Sequence, residues 1–488
     1  MRIFQRIHNK LNWSGKRYIA LIVGLLALSY MSSALYHVYK PLPEGLAFAG
    51  PLRHADVKFI ADQTYIDTKG QQQFDQHIFD EMLSMIQQAQ STIVLDLFLF
   101  NQEVGHSTVE HRALTQQLTD ALIEKRRQNP NIEIKFITDP INSVYGGTQP
   151  EQYRALRQQG VDVIETNLTP LRASNPVWSG FWYLCCQGIG NNPEKGWLPN
   201  PFGDEKIPLR SYLDLLNFKA NHRKTLVVDT AEGWQALVTS MNPHDGSSRH
   251  SNVALIVKDA AATDVLRTEQ TVGTMSGANM TAVVTGNIEA AKTQPQVQVL
   301  TEKAIFDSVL DAIQTSQNAS TEIDIAMFYL SERKIIQELI AAHERGVKVR
   351  ILLDPNKDAF GRTKNGIPNR PVAAELHQAG IPVRWCNTQG EQCHSKMLLK
   401  QNAKTAELIL GSANFTARNL KNYNLETNLR VIGGKDNVVF KDANQYFNTA
   451  WSNLEGRQMS VDYATYADES KFKYWLYRFM EWSGLSTF

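Results

Sequence analysis

The hydrophobic positions along this chain fall into a pattern that occurs twice. Ile78 to Phe100 reads IFDEMLSMIQQAQSTIVLDLFLF, with apolar residues first at helical spacing and then in a dense run typical of a buried strand. The same order of amphipathic helix, polar turn and buried strand returns in IFDSVLDAIQTSQNASTEIDIAMFYL, from Ile305 to Leu330. A helix over Leu114 to Lys125 then leads to the strand IEIKFITDP (Ile132 to Pro140), and a helix over Ile335 to Arg345 leads to VKVRILLDP (Val347 to Pro355). Both strands end in Asp-Pro. Each is followed by a short helix and a strand opened by glycine: Tyr153 to Gln159 with Gly160 to Val163, and Ala373 to Ala379 with Gly380 to Val383. Strands alternating with helices predict α/β sheets with helices on their faces, and shared landmarks in one order predict two duplicated halves.

A different pattern precedes the repeats. Tyr18 to Tyr36 is a run of 19 residues without a charge, close to the roughly 20 that a bilayer-spanning helix needs. Arg2, Arg6, Lys10, Lys16 and Arg17 all lie before it, so the positive-inside tendency places the N-terminus in the cytoplasm and the body on the other side. The apolar run is longer than a usual signal-peptide core, which favours an uncleaved anchor over cleavage near Met31 to Ala34. The chain therefore divides into a basic N-terminus and anchor (1–45), a first half (55–285), a second half (295–455) and a tail (456–488).

Charge adjusts this picture little. The 488 residues carry 50 Lys and Arg against 49 Asp and Glu, 43% hydrophobic residues and 20% charged. Removing the five N-terminal bases leaves 45 against 49. Such a body lacks the overall basic surplus of a nonspecific nucleic-acid binder. On the far side of a membrane the four cysteines, Cys185, Cys186, Cys386 and Cys393, are candidates for disulfides. A bridge from Cys386 to Cys393 would stiffen the approach to His394. No Cys/His group has zinc spacing, and no metal or other cofactor is expected.

Candidate chemistry appears where each half should place its next strand: Asn221-His222-Arg223-Lys224 and Cys393-His394-Ser395-Lys396. Residues two apart on a strand face the same side, so each His and Lys can point into one cleft. Further on come Thr239-Ser240-Met241-Asn242 and Gly411-Ser412-Ala413-Asn414. One His-x-Lys is weak evidence, but two on equivalent strands form a composite site.

This pattern resembles the phospholipase D superfamily, whose motif is His-x-Lys, four residues, Asp, then Gly-Ser-x-Asn. His222, Lys224, Asp229, Ser240 and Asn242 fit the first copy, with Thr239 in place of its glycine. His394, Lys396, Gly411, Ser412 and Asn414 fit the second, with Gln401 in place of its aspartate. The resemblance spans about Phe59 to Ser452. It implies two phospholipase D-like halves, each a mixed sheet flanked by helices, around one shared active site that a monomer completes. It also implies His222 as nucleophile forming a phosphohistidine, and His394 as general acid that later activates water or an alcohol. Lys224, Lys396, Asn242 and Asn414 would hold the phosphate, with Ser240 and Ser412 supporting.

Asp229 lies five residues beyond Lys224 and so faces away on an ideal strand, which suits a supporting role. Glu426, after the second Asn turn, is placed to orient a histidine, while the first-half stretch Arg249 to Asn252 has no carboxylate. Thr239 adds a side chain where glycine would let backbone approach phosphate, so an altered first phosphate nest is expected.

The halves differ in one large respect. There are 61 residues between Gly160 and His222 but 13 between Gly380 and His394. The first half therefore carries an insertion, about 164–216, that holds Trp178, Phe181, Trp182, Tyr183 and Trp197. It reads equally as a small satellite core or as an apolar, loop-rich cap receiving acyl chains. The tail Lys471 to Trp482 mixes bases with aromatics and reads either as an interfacial segment or as packing on the body. The expected partners are a membrane and a phospholipid substrate, in a bacterial plasma membrane by the resemblance. The expected reaction is hydrolysis of a headgroup or transfer of a phosphatidyl group to an alcohol, as cardiolipin synthases perform. No nucleic acid is expected as a partner; an anchored nuclease of the same superfamily is the alternative.

Overall fold

The structure, a computed structural model, describes residues 14–280, 290–486 and 488. Arg2, Arg6 and Lys10 of the basic N-terminus, and the end of the first half at residue 285, lie outside the described residues. Gly15–Tyr39 is one helix, long and apolar enough to cross a bilayer, and its apolar stretch has no buried residue.

Two large sheets make up the body. Strand order in the first is Gln72–Asp75, Val57–Ile66, Asn252–Lys258, Gly233–Thr239, Lys224–Thr230, Thr92–Leu97, Glu133–Thr138, Asp162–Glu165. The second runs Arg53–His54, Gln296–Thr301, Thr427–Gly434, Thr405–Gly411, Lys396–Gln401, Glu322–Met327, Lys348–Leu353, Val383–Cys386, Ser460–Asp462. From Val57–Ile66 and from Gln296–Thr301 onward the two orders correspond strand for strand. In each, the three strands linked by helices are parallel and the His-x-Lys strand joins them antiparallel. Both sheets are mixed because a helical crossover returns a strand parallel, whereas a tight turn returns it antiparallel.

Layering follows from the side-chain pattern. In Thr92–Leu97, Ile93, Leu95 and Leu97 pack outward on the helices Ile78–Gln88 and Leu114–Gln128, while Val94 faces the centre. Burial on both faces is why these strands read as continuous apolar runs. The second half repeats this with Ile323, Ile325 and Met327 on the helices Lys303–Gln314 and Arg333–Glu344. Between the sheets lies one shared core, completed by the helices Asp259–Met275 and Val438–Ser452. Each of these helices follows the last central strand of its own half and packs on an outer strand of the other, Gln296–Thr301 and Val57–Ile66 respectively. The exchange holds the two sheets in one body with an approximate twofold relation.

The insertion forms the helix Pro176–Cys185, a short hairpin of Leu198–Pro199 with Lys206–Ile207, and the helix Leu209–Leu215. The first of these helices lies along the N-terminal helix Gly15–Tyr39. A Cβ on Gly180 would meet Ala34 Cβ at 2.8 Å, Tyr30 Oη donates to the Val177 carbonyl at 2.8 Å, and His37 stacks on Tyr183. In the tail, Lys471–Ser483 is a helix that buries Tyr477 and leaves Phe472, Trp475 and Trp482 exposed. Both disulfides form, Cys185 with Cys186 and Cys386 with Cys393.

Candidate active site

Each His-x-Lys segment enters its strand from a loop that crosses to the other half. The His222 amide donates to the Leu425 carbonyl at 2.9 Å, and the His394 amide donates to the Ser251 carbonyl at 2.8 Å. The Asp of each Asp-Pro landmark fixes the residue just before the histidine: Asp139 accepts from the Asn221 amide at 2.6 Å and Asp354 from the Cys393 amide at 2.8 Å. Each also caps its own turn through Ile141 and Asn356. The sequence marked these aspartates as repeat landmarks, and nothing in their spacing showed that they position the histidine loops. Burial raises Asp354, and raises Asp139 to about 7.

The crossing places a support for each histidine in the opposite half. His222 Nδ1 lies 2.9 and 3.0 Å from the two oxygens of Glu426. His394 Nδ1 lies 3.1 Å from Asn252 Oδ1. Glu426 also accepts from Ser412 Oγ and Asn419 Nδ2, and Asn252 Oδ1 accepts from Ser240 Oγ at 3.1 Å. The Asn252 amide orientation is settled by its nitrogen, which donates to the His250 carbonyl at 3.1 Å. Both acceptors require a proton on Nδ1 of the histidine, so each ring presents the Nε2 lone pair when neutral. Glu426 and Asn252 occupy equivalent positions. The missing first-half carboxylate thus concerns His394, and Glu426 serves His222.

Lys224 and Lys396 lie almost wholly buried beside their histidines, donating to the His222 and His394 carbonyls at 2.7 and 3.0 Å. Phe98 meets the His222 ring edge-on at 4.6 Å and lies under Lys224 at 5.0 Å; Phe328 does the same for His394 at 4.9 Å and Lys396 at 5.4 Å. These two aromatics directly follow the strands Thr92–Leu97 and Glu322–Met327, and in the sequence they were only part of an apolar run. Burial lowers Lys224 to about 7, and burial together with Lys224 holds Lys396 well below its ordinary value. Burial outweighs the pull of Glu426 and lowers His222 to about 4; burial, Lys396 and His250 hold His394 well below the usual imidazole range. On Glu426 burial acts upward, but His222, Lys224 and Ser412 outweigh it and keep the carboxyl below its usual range. A cleft with two lysines, two histidines and one ionised carboxylate is poised to gain protons when an anion enters.

Asn242 and Asn414 sit at the ends of the neighbouring strands. Asn242 Oδ1 is 3.4 Å from the Leu99 amide, and Asn414 Oδ1 has no partner among the described residues. A third imidazole adjoins His394: His250, its ring 6.0 Å from that of His394, accepts from the Gln392 amide on Nδ1 and leaves a buried Nε2–H with no partner among the described residues. Asp229 faces away from the cleft and accepts from the Ser91 amide and hydroxyl and the Thr92 amide at 2.6–3.1 Å, tying down the neighbouring strand. Gln401, its counterpart, donates to Asn444 at 3.0 Å.

Thr239 and Gly411 occupy equivalent positions, and each is fixed by contact with the adjacent strand. A Cβ on Gly411 would meet the Thr427 carbonyl at 2.3 Å and Asn428 Cα at 2.6 Å, so that glycine serves the approach of the adjacent strand. Thr239 uses its side chain in the same place, with Oγ1 donating to the Val253 carbonyl and accepting from the Met241 amide. Under Glu426 lies a buried ionic group that the sequence did not reveal. Glu302 accepts from both the Glu426 amide and Arg223 Nη2 at 3.0 and 2.9 Å, and Arg223 also faces Glu269. Ser395 stands at the equivalent second-half position and pairs with Tyr446 Oη at 2.6 Å.

Residues 311–451 match the family described as cardiolipin synthase, PLD-like domain. A search of curated proteins finds no match. Among solved structures, phosphatidylserine synthase of Haemophilus influenzae Rd KW20 is similar over 88% of this chain and 94% of its own, at 11% identity and a TM-score of 0.54. Nuc of Salmonella typhimurium, a phospholipase D family member, matches 34% of this chain and 98% of its own, at 24% identity and a TM-score of 0.26.

Proposed function

From a phospholipase D-like fold whose two histidines share one cleft, we propose that this chain is a membrane-anchored enzyme that opens the phosphodiester of a phospholipid through a phosphohistidine. The observation that carries this reading is the unequal support of the two histidines. His222 Nε2 attacks phosphorus, the bond to the leaving alkoxide breaks, and that oxygen takes the proton from His394 Nε2. Phosphorylation leaves the His222 ring cationic, with its Nδ1–H on the Glu426 carboxylate, so the negative charge lies where positive charge develops. His394, held by the neutral Asn252 amide, gives up its proton more readily than a carboxylate-backed imidazole would. In the second step His394 Nε2 removes a proton from water or an alcohol, whose oxygen attacks phosphorus while the N–P bond breaks. Lys224, Lys396, Asn242 and Asn414 offset the charge on the nonbridging oxygens. A positive-inside anchor with the body outside the cytoplasm presents this cleft to lipid.

The test is turnover of labelled phosphatidylglycerol, phosphatidylethanolamine and single-stranded DNA by the detergent-solubilised chain, with the His222→Ala/His394→Ala variant as control. Release or transfer of the lipid phosphoryl group, with a phosphoryl adduct on His222, is expected. Turnover of DNA alone would replace the lipid reading with the anchored nuclease, and an adduct on His394 would reverse the two roles.

A further inference from the structure

We infer that the anchor helix is one wall of a lipid-binding groove, and that a phospholipid acyl chain occupies this groove while its phosphate lies in the cleft. The groove encloses about 650 Å³ and is lined by Tyr30 of the anchor, Val177 and Phe181 of the insertion, Leu216 and Phe218 of the segment leading to His222, and Leu485 of the tail. At roughly 30 Å³ for each water-sized group, this space takes on the order of twenty methylenes.

Three observations identify the occupant. The groove offers no free polar group from its three polar lining side chains: Tyr30 Oη donates to the Val177 carbonyl, Trp178 Nε1 donates to the Leu213 carbonyl, and Asn175 accepts from the Trp178 amide and donates to the Leu216 carbonyl. It borders surfaces suited to hydrocarbon, since the anchor's apolar stretch is unburied and Val177, Phe181 and Leu184 beside it are 59%, 48% and 55% exposed. The contact between Gly180 and Ala34 is the close, small-residue packing by which helices associate inside a bilayer. Finally, the groove is tied to the chemistry by chain length. Phe218 stands four residues before His222, and four residues span at most about 14 Å. Phe218 holds φ of 52°, a turn into the left-handed region that is sparsely used by bulky residues, with its carbonyl accepting from Ser174 Oγ at 3.3 Å. That turn carries the chain from the groove wall toward the cleft.

This assignment rests on the lipid reading above, and two measurements separate them. The full chain is reconstituted in phosphatidylcholine vesicles with phosphatidylglycerol bearing a mid-chain diazirine, and adducts are mapped after illumination. Adducts on the peptides of Val177–Phe181 and Leu216–Phe218 are expected, falling at least fivefold in Leu216→Trp and in Val177→Trp, which fill the groove from two walls. In parallel, the ratio of phosphatidylglycerol turnover to that of the soluble diester bis(p-nitrophenyl) phosphate should fall at least tenfold in both variants. Labelling confined to the outer face of the anchor overturns the groove, as does a label or a ratio that neither variant changes. A second copy seated in the groove would show itself by that same lack of label. Groove labelling with no lipid turnover by the unaltered chain would instead overturn the reaction and leave the binding site standing.

Discussion

Glu426→Gln removes one charge while keeping an oxygen that can accept from His222. In the phosphorylated state a ring cation would sit about 4 Å from the carboxylate centre, since Nδ1 is 2.9 Å from the nearer oxygen. At an effective dielectric of about 20 this attraction is about 4 kcal/mol. Each 1.36 kcal/mol is tenfold in rate, which sets an upper bound near 10³. Because the amide retains the hydrogen bond, kcat is expected to fall about 10²- to 10³-fold, with KM changed little. The loss should appear in formation of the His222 adduct, followed by rapid quench and mass spectrometry. Glu426 also receives Ser412 and Asn419, so rates are taken per folded molecule, with the folded fraction read from thermal melting. Asn252→Ala supplies the contrast: it removes a neutral hydrogen bond of about 1 kcal/mol and should cost only about fivefold. A kcat within threefold of the unaltered chain for Glu426→Gln, or an equal loss in the two variants, would refute the charge argument.

Three further outcomes follow from the same geometry. Asp139 is raised by burial from its ordinary value of 3.8 to about 7. A carboxyl raised in the folded state adds stability below pH 3.8 that is lost as pH climbs through 7, so the unaltered chain should lose stability relative to Asp139→Asn across that window, by at most about 1.4 kcal/mol per pH unit in denaturant titrations. Gly411→Thr drives a side chain into the Thr427 carbonyl and should destabilise by more than about 2 kcal/mol, whereas Thr239→Gly loses two hydrogen bonds and some backbone rigidity, about 1–2 kcal/mol; melting of both variants checks the order. Opening the Cys386–Cys393 bridge by serine substitution releases a short loop, worth about 2.5 kcal/mol by loop-closure entropy. Its effect on kcat should exceed that of opening Cys185–Cys186, because Cys393 precedes His394.

Much of this was written in the sequence because it is local. A strand of period two carries His222 with Lys224, and the helix and strand rhythm around Ile78 and Ile305 needs only neighbouring residues to be read. What was not legible depends on which segments meet across the body. Glu426 could be assigned to a histidine but not to the histidine of the other half, since only the parallel contact of residues 221 and 425 brings them together. Gly411 was legible only as part of the Gly-Ser-x-Asn motif, and its close approach to Thr427 and Asn428 depends on the adjacent strand. The insertion was read equally as core or cap because aromatic content does not say what an element packs on; the close fit of Gly180 on Ala34 does.

The crossed supports also give the duplication a physical consequence. If each histidine were held by its own half, one half could fold alone with a complete, if single, imidazole. Instead His222 and Glu426, and likewise His394 and Asn252, come from opposite halves, so separating the halves strips each ring of its orienting partner as well as of the other ring. Once both copies lie in one chain, the two positions are also free to diverge. In the roles proposed above, the first copy uses the carboxylate opposite it and the second the neutral amide. That divergence reaches beyond the cleft: Arg223 and Glu302 brace the Glu426 backbone with a buried ion pair, while the equivalent Ser395 needs only a hydroxyl contact to Tyr446. A buried pair contributes little net stability against an apolar alternative, but loss of one partner leaves an uncompensated charge at about 3–5 kcal/mol. The ion pair is therefore better understood as fixing the position of Glu426 than as stabilising the fold, which is the property that an unequal pair of histidines requires.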